Sequence, residues 1–156
     1  MPEQAPITAR GGGEPLAVQF SVFLANRVGQ LKELLDTFAR DRVEILGLSV
    51  VDSTDWAVIR IISSDPDRAR NAMKNHPLPF TESDVLLAVL AGRDTLSRVT
   101  ELLVRAELNL HFAYPLMLQS EGNPIMVLHV DDNAVATQIL RRNGFALLGD
   151  DDLGRT

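Results

Sequence analysis

The 156-residue sequence has no cysteine, which removes disulfide frameworks, thiolate metal sites and cysteine nucleophiles from consideration. Positive charge is in deficit: 15 Lys and Arg stand against 21 Asp and Glu, for a net charge of −6. No block of Lys or Arg offsets that average. Non-specific nucleic-acid binding therefore lacks the cationic surface that displaces counterions, and the strands lack the clustered surface rings of an RRM-like sheet. No apolar run approaches the roughly 18 residues of a spanning helix, and no apolar h-region stands near the start, so the expectation is a cytoplasmic protein without a membrane partner.

Catalytic signatures are missing as well. None of the patterns G-x-x-x-x-G-K-[ST], G-x-S-x-G or G-x-G-x-x-G occurs. The triplet Gly11-Gly12-Gly13 precedes the first predicted strand, the wrong context for a nucleotide loop. An acylphosphatase-like hydrolase would need a glycine-rich loop beside a catalytic Arg, and none is seen. His76, His111 and His129 fall on different predicted elements, without H-x-x-x-H spacing. Each reads as a packed or surface residue. Asp150-Asp151-Asp152 reads as a solvated tail rather than a metal site. No catalytic residue, metal or cofactor is expected, and the chain is not expected to be an enzyme.

What is present is a packed globular composition, 46% hydrophobic, written as a pattern that occurs twice. Residues 1–15 are polar, Pro- and Gly-rich, and read as a flexible tail. Leu16, Val18, Phe20, Val22 and Leu24 then alternate as a strand. After a turn at 25–29, Leu31, Leu34, Leu35 and Phe38 recur at helical spacing, with Lys32, Glu33 and Asp36 on the other side. Residues 45–51 and 56–62 form a hairpin around the turn cluster Asp52-Ser53-Thr54-Asp55. The hairpin carries Trp56 as a core or interface residue. Asp65-Pro66 opens a second helix bearing Ala69, Ala72 and Met73, and residues 80–84 give a short fourth strand.

The order βαββαβ then restarts. The continuous apolar run 85–90 suits a central buried strand. Leu96, Val99, Leu102 and Leu103 form a helical stripe. Leu110, Phe112, Tyr114, Leu116 and Leu118 alternate, with Pro115 marking an edge or a bulge. Gly122-Asn123-Pro124 turns into 125–130. Asp131-Asp132 can cap a helix carrying Val135, Ile139 and Leu140, which ends in Arg141-Arg142 and Gly144. Residues 145–148 close the copy. Leu31 and Leu96, Leu34 and Val99, Phe38 and Leu103, Ile45 and Leu110, and Phe80 and Phe145 each stand 65 residues apart. The predicted fold is α+β: two ferredoxin-like βαββαβ modules, at 16–84 and 85–153, each an antiparallel sheet with both helices on one face.

Asn26-Arg27-Val28-Gly29-Gln30-Leu31, between strand and helix, resembles the N/D-R-P-G-x-L signature of ACT domains, with Val28 where Pro is usual. Leu48 to Arg60 resembles the hairpin of small bacterial proteins built from two ACT domains. Asn109 to Tyr114, His129 to Asp132, and Asn143-Gly144-Phe145 resemble their second copy. The resemblance spans about 16–153. It implies a non-catalytic regulatory protein that binds a small amino acid between two ACT modules and reports to an enzyme partner. In the family the ligand sits between the first strand–helix loop of one module and the second strand of its neighbour.

Physical chemistry offers reasons for such a site. Free N–H groups at a helix N-terminus suit a carboxylate. Gly29 lets backbone approach a ligand closely, and Asn26 offers both donor and acceptor. Each has a bland alternative: a tight turn for Gly29, a helix cap for Asn26, a solvated charge for Arg27. In the second copy Asp94 stands opposite Gly29, and Ala91 or Gly92 opposite Asn26. Asp94 would repel a carboxylate and reads as an ordinary N-cap. At the second strand the asymmetry reverses, with Asn109 opposite Glu44. The expectation is one working site from residues 26–31 and Asn109, with His111 as a further lining residue, and a dead or weakened pseudo-equivalent. The alternative is that both Asn residues are incidental, in a structural ACT protein that associates with an enzyme subunit and binds no ligand. Exposed β edges also allow a symmetric homodimer.

Overall fold

The computed structural model describes residues 15–25 and 28–154, with the side chain of Val28 excluded. Of the predicted tail 1–15, residues 1–14 lie outside the described residues, as do Asn26 and Arg27. The elements run β1 (Leu16–Leu24), α1 (Val28–Arg40), β2 (Ile45–Asp52), β3 (Ala57–Ser63), α2 (Pro66–Lys74), β4 (Phe80–Val89), α3 (Thr95–Arg105), β5 (Leu110–Ser120), β6 (Asn123–Val130), α4 (Asn133–Arg142), β7 (Leu147–Leu148) and α5 (Asp150–Leu153). They fall into two compact units, Val18–Ser83 and Asp84–Thr156, the second also taking Leu16 and Ala17.

In the first unit the strand order is β2-β3-β1, with the opening of β4 next. Both β1·β3 and β2·β3 are antiparallel. Alternation along β1 and β3 sends Val18, Phe20, Val22, Leu24, Ile59 and Ile61 into one core, where they meet Leu34 and Phe38 of α1 and Ala69, Ala72 and Met73 of α2. Both helices therefore cover the same sheet face. Asp65 caps α2 as read, its carboxylate accepting the Arg68 N–H at 3.1 Å ahead of Pro66. Arg70 of α2 reaches β4 with a two-pronged grip on Glu82, Nε and Nη2 each 2.7 Å from a carboxylate oxygen.

The second unit repeats the plan: β7, β4, β6 and β5 lie in that order, all antiparallel. Leu86, Ala88, Leu128 and Val130 meet Val99, Leu103, Ala136 and Leu140 in a second core. The ferredoxin-like βαββαβ architecture with helices on one face is thus present in both units.

Several expectations need correction. Predicted strands 80–84 and 85–90 are one strand, β4, in which Val85, Leu86, Leu87 and Ala88 are all fully buried. Trp56 is not core. Its carbonyl closes the turn by accepting the Ser53 N–H at 2.9 Å, and the residue stays 49% exposed ahead of β3. Leu96 and Val135 are exposed, because the inward faces of α3 and α4 run through Thr95, Val99 and Leu103, and through Ala136, Thr137 and Leu140. Phe145 packs from a loop, since the last strand begins only at Leu147. The acidic run is not a tail. Asp150 to Asp152 open the helical turn α5, the Asp152 carboxylate accepts the Gly149 N–H at 2.8 Å, and Leu153 is buried. Carboxylates are favoured at that end of a helix.

Candidate functional site

The two copies can be compared position by position at the start of their second strands. In the first unit Ile45 pairs with Ser63 and Gly47 with Ile62, leaving Leu46 as an extra residue; in the second, Leu110 pairs with Val130 and Phe112 with His129, leaving His111. Both are β-bulges, which bend a strand and re-aim a side chain. The five alternating residues of β5 are each less exposed than the residues between them, but the bulge keeps them from sharing one face. Leu110 packs on the helix-side core, whereas Phe112 and Tyr114 pair with His129 and Val127 across the other face. A backbone bond closes each bulge: Ser64 N–H to Glu44 carbonyl at 3.1 Å, and Asp131 N–H to Asn109 carbonyl at 3.3 Å.

The side chains on this shared frame differ. Leu46, Ile62, Ser64 and Glu44 in the first unit become His111, His129, Asp131 and Asn109 in the second. Asp131 Oδ2 accepts both the backbone N–H of Asn109 at 3.0 Å and its side-chain amide at 2.9 Å. Asp131 Oδ1 is in contact with His111 Nε2. The Asn109 N–H first, and then His111, hold the Asp131 carboxyl below the usual carboxylate range. The His111 ring lies 5.5 Å from that of His129, which stacks on Phe112 at 4.7 Å and 6°.

Asn109 and His111, both expected in the site, meet through Asp131, because Asn109 precedes β5 and His111 is the bulged residue. Sequence reasoning missed Asp131 as a member of this group, having paired it with Asp132 as a helix cap. Only Asp132 caps α4, accepting the Val135 N–H at 3.1 Å. Comparison with Ser64 through the shared bulge could have singled it out.

The first-unit residues of the expected site are described more sparsely. Asn26 and Arg27 lie outside the described residues, and Val28 only opens α1. Gly29 stands in the first turn of α1 without a positive φ, and an added Cβ would meet nothing within 4 Å. The tight-turn reading of Gly29 therefore has no support here. Gln30 Oε1 accepts the Ala25 N–H at 2.9 Å across the loop, so its carbonyl has a structural task. Leu31 is half-buried against the core of its own unit. In the second copy Asp94 occupies the N-cap position with a left-handed φ of 55° and no side-chain cap bond, which corrects the reading of it as an ordinary cap.

Elsewhere in the first unit a cleft of about 460 Å³ runs along the outer flank of α1, with Glu33, Asp36, Arg40 and Asp41 facing Asn75 and His76. Asp36 is engaged by Lys32 at 2.8 Å, and Arg40 by the Thr37 hydroxyl at 3.2 Å. His76 Nδ1 accepts the Leu78 N–H at 3.4 Å. Among the described residues no cluster of three His, Cys, Asp or Glu could hold a metal ion, and no helix is long and apolar enough to cross a membrane.

The comparisons with known proteins agree with this architecture. A family model described as an ACT domain pair matches residues 16–156. A solved protein from Bacteroides thetaiotaomicron is similar, with a TM-score of 0.81 at 23% identity, over 92% of this chain and 99% of that one. The regulatory subunit of aspartate kinase from Thermus thermophilus, in ligand-free form, gives a TM-score of 0.60 at 10% identity, over 84% and 94%. The corresponding subunit from Thermus flavus gives 0.53 at 12%, over 80% and 90%. No curated protein matches the sequence. Two like units in series, each with the β7-β4-β6-β5 or β4-β1-β3-β2 order and a bulged second strand, together with the match from residue 16 onward, identify the chain as a member of the ACT domain pair family.

Proposed function

We propose that this protein is a non-catalytic regulatory protein that binds a small amino acid between ACT modules, of one chain or of two, and passes the binding event to an enzyme partner. The residues assigned to the ligand are Asn26, Arg27, Val28, Gly29, Gln30 and Leu31 from one module and Asn109 and His111 from its neighbour. The observation that carries the reading is the fixed amide of Asn109. A carboxylate can only accept hydrogen bonds, so the nitrogen of Asn109 must face Asp131 and its Oδ1 is turned away as an acceptor. A zwitterion needs such an acceptor for its ammonium and a helix N-terminus for its carboxylate. The open space over Gly29 lets the ligand reach the N–H groups of α1.

A second reading has an observation of its own. Val50, Val51 and Trp56 are exposed around the tip of the β2–β3 hairpin, and β2 ends its strand order. That edge suits pairing with an enzyme subunit or a second copy without any ligand.

Thermal unfolding against the twenty amino acids at millimolar concentration separates the two readings. A ligand at about 100 times its Kd adds about 2.7 kcal/mol, which raises Tm by roughly 5–10 °C in a protein of this size. No rise with any amino acid would leave the structural reading standing and remove the sensing one.

A further inference from the structure

The flank of the helix pair differs between the two copies. In the second unit Arg98 of α3 donates to the Asn143 carbonyl at the end of α4, at 3.1 Å, and the Asn143 amide is tied to the Ile139 carbonyl at 2.8 Å. Arg105 of α3 is paired with Glu101 at 3.1 Å. In the first unit Glu33 stands at the Arg98 position, 65 residues earlier, and Asn75 is the matching C-cap, of α2. Both line the cleft of about 460 Å³ along α1, together with Arg40, Asp41 and His76. Asp36, the counterpart of Glu101, is held by Lys32 instead, and Arg40 bonds only the hydroxyl of the buried Thr37, at 3.2 Å. Among the described residues the side chains of Glu33, Asp41 and Asn75 make no hydrogen bond or ion pair. The fold can therefore join these helix ends with its own groups, and in the first unit it leaves two carboxylates, a guanidinium and an amide around an opening of small-molecule size.

We propose that this cleft is a binding site for an amino acid with a cationic side chain, separate from the site assigned above and independent of that reading. The charges left over select the ligand. Arg40 and Asp41 are adjacent in sequence, as the carboxylate and ammonium of an amino acid are adjacent on one carbon. Thr37 takes one of the five N–H donors of Arg40, and the rest are available to a carboxylate. Asp41 then receives the α-ammonium. Glu33 lies two turns earlier on the same flank, about 10 Å along the axis from Arg40, where it meets the cation at the end of a long side chain. The Asn75 amide, across the cleft, offers a donor and an acceptor to the α groups. An aliphatic diamine would set a cation against Arg40, and an amino acid with an apolar side chain would leave Glu33 without a partner. Each mismatch costs affinity.

The test titrates L-lysine calorimetrically into the full chain, beside cadaverine, which lacks the carboxylate, and L-norleucine, which lacks the side-chain ammonium. Lysine is expected to bind roughly tenfold or more tightly than either. In amide-resolved NMR, lysine is expected to shift signals of residues 33–41 and 74–77, including the side-chain amide of Asn75. Arg40→Gln and Asp41→Asn are each expected to lose roughly tenfold or more in lysine affinity. Glu101→Gln, which removes a carboxylate from α3 outside the cleft, is expected to bind as wild type does. Circular dichroism melts of the variants separate lost binding from lost fold. No binding of lysine or arginine overturns the proposal. So does cadaverine binding as tightly as lysine, because Arg40 then holds no carboxylate. Shifts centred on the loop before α1 would assign the binding to the site of the amino-acid reading, overturning this proposal while sparing that one.

Discussion

Asp131 holds Asn109 twice with one oxygen, Oδ2 accepting the backbone N–H at 3.0 Å and the side-chain amide at 2.9 Å. The first consequence is a pH dependence of stability. Hydrogen bonds to the charged form depress the Asp131 pKa below its ordinary value of 3.8. A depressed carboxylate contributes stability that is fully present above its unfolded pKa and is lost as pH falls through the folded one. Asp131→Asn removes that titration. In urea unfolding, the stability gap between wild type and variant is expected to stay constant down to about pH 4 and to shrink steadily below it. Parallel stability curves through the acid range would mean that Asp131 does not grip Asn109 as a carboxylate.

The helix starts give a second prediction, because three Asp residues at N-cap positions do different things. Asp65 and Asp132 each accept a backbone N–H at 3.1 Å from extended backbone. Asp94 has a left-handed φ of 55° and its side chain makes no cap hydrogen bond. Replacing Asp65 or Asp132 with Ala is expected to cost about 1 kcal/mol each in chemical denaturation. Asp94→Gly removes only a side chain from a backbone conformation that glycine adopts freely, and is expected to stabilise by about 0.5–1 kcal/mol. A loss at Asp94 equal to that at Asp132 would contradict the geometry.

Much of this was legible in the sequence, and what was missed has a common cause. The β1 alternation, the Leu34 and Phe38 stripe, the Asp65-Pro66 cap and the Gly144 terminus (φ +88°) are local signals, and each reports a local fact. Leu96 and Val135 were misplaced because helical spacing fixes a stripe but not which of its margins turns to the core. The split of β4 into two strands came from treating the change between modules as a break, where the backbone continues extended. The clasp around Asn109 depended on a bulge, and a bulge has no residue-type signature at Leu46 or His111. It shows only in cross-strand pairing, so Asp131 stayed hidden behind its neighbour Asp132, whose cap role periodicity does suggest.

Gly29 provides a third prediction, in which stability and binding move separately. It lies in the first turn of α1 with open space where a Cβ would stand. Gly29→Ala is therefore expected to raise stability by about 0.5–1 kcal/mol. Gly29→Asp is expected to leave the fold intact, since acidic groups are favoured at a helix start, while abolishing the amino-acid-induced rise in Tm by repelling the ligand carboxylate. Undiminished ligand stabilisation in Gly29→Asp would remove this loop from the site.

The last prediction concerns what ties α2 to β4 in the first unit. Arg70 puts Nε and Nη2 each at 2.7 Å from Glu82, and Nη1 at 2.8 Å from Asp67. Arg70 and Glu82 are only about a third exposed, at 30% and 33%, whereas Asp67 is 90% exposed. A planar fork matched to a carboxylate gains from both hydrogen bonds at once, and Lys, a single point charge, cannot reproduce it. Arg70→Lys and Glu82→Gln are each expected to cost about 1 kcal/mol, and a double-mutant cycle is expected to show a coupling of about 0.5–1 kcal/mol. Asp67→Asn is expected to change stability by less than about 0.5 kcal/mol, because solvent screens a pair at that exposure. Additive losses in the cycle would mean that Arg70 acts through the packing of its stem, whose guanidinium lies 6.0 Å from the centre of the Phe20 ring, and that the fork contributes nothing of its own.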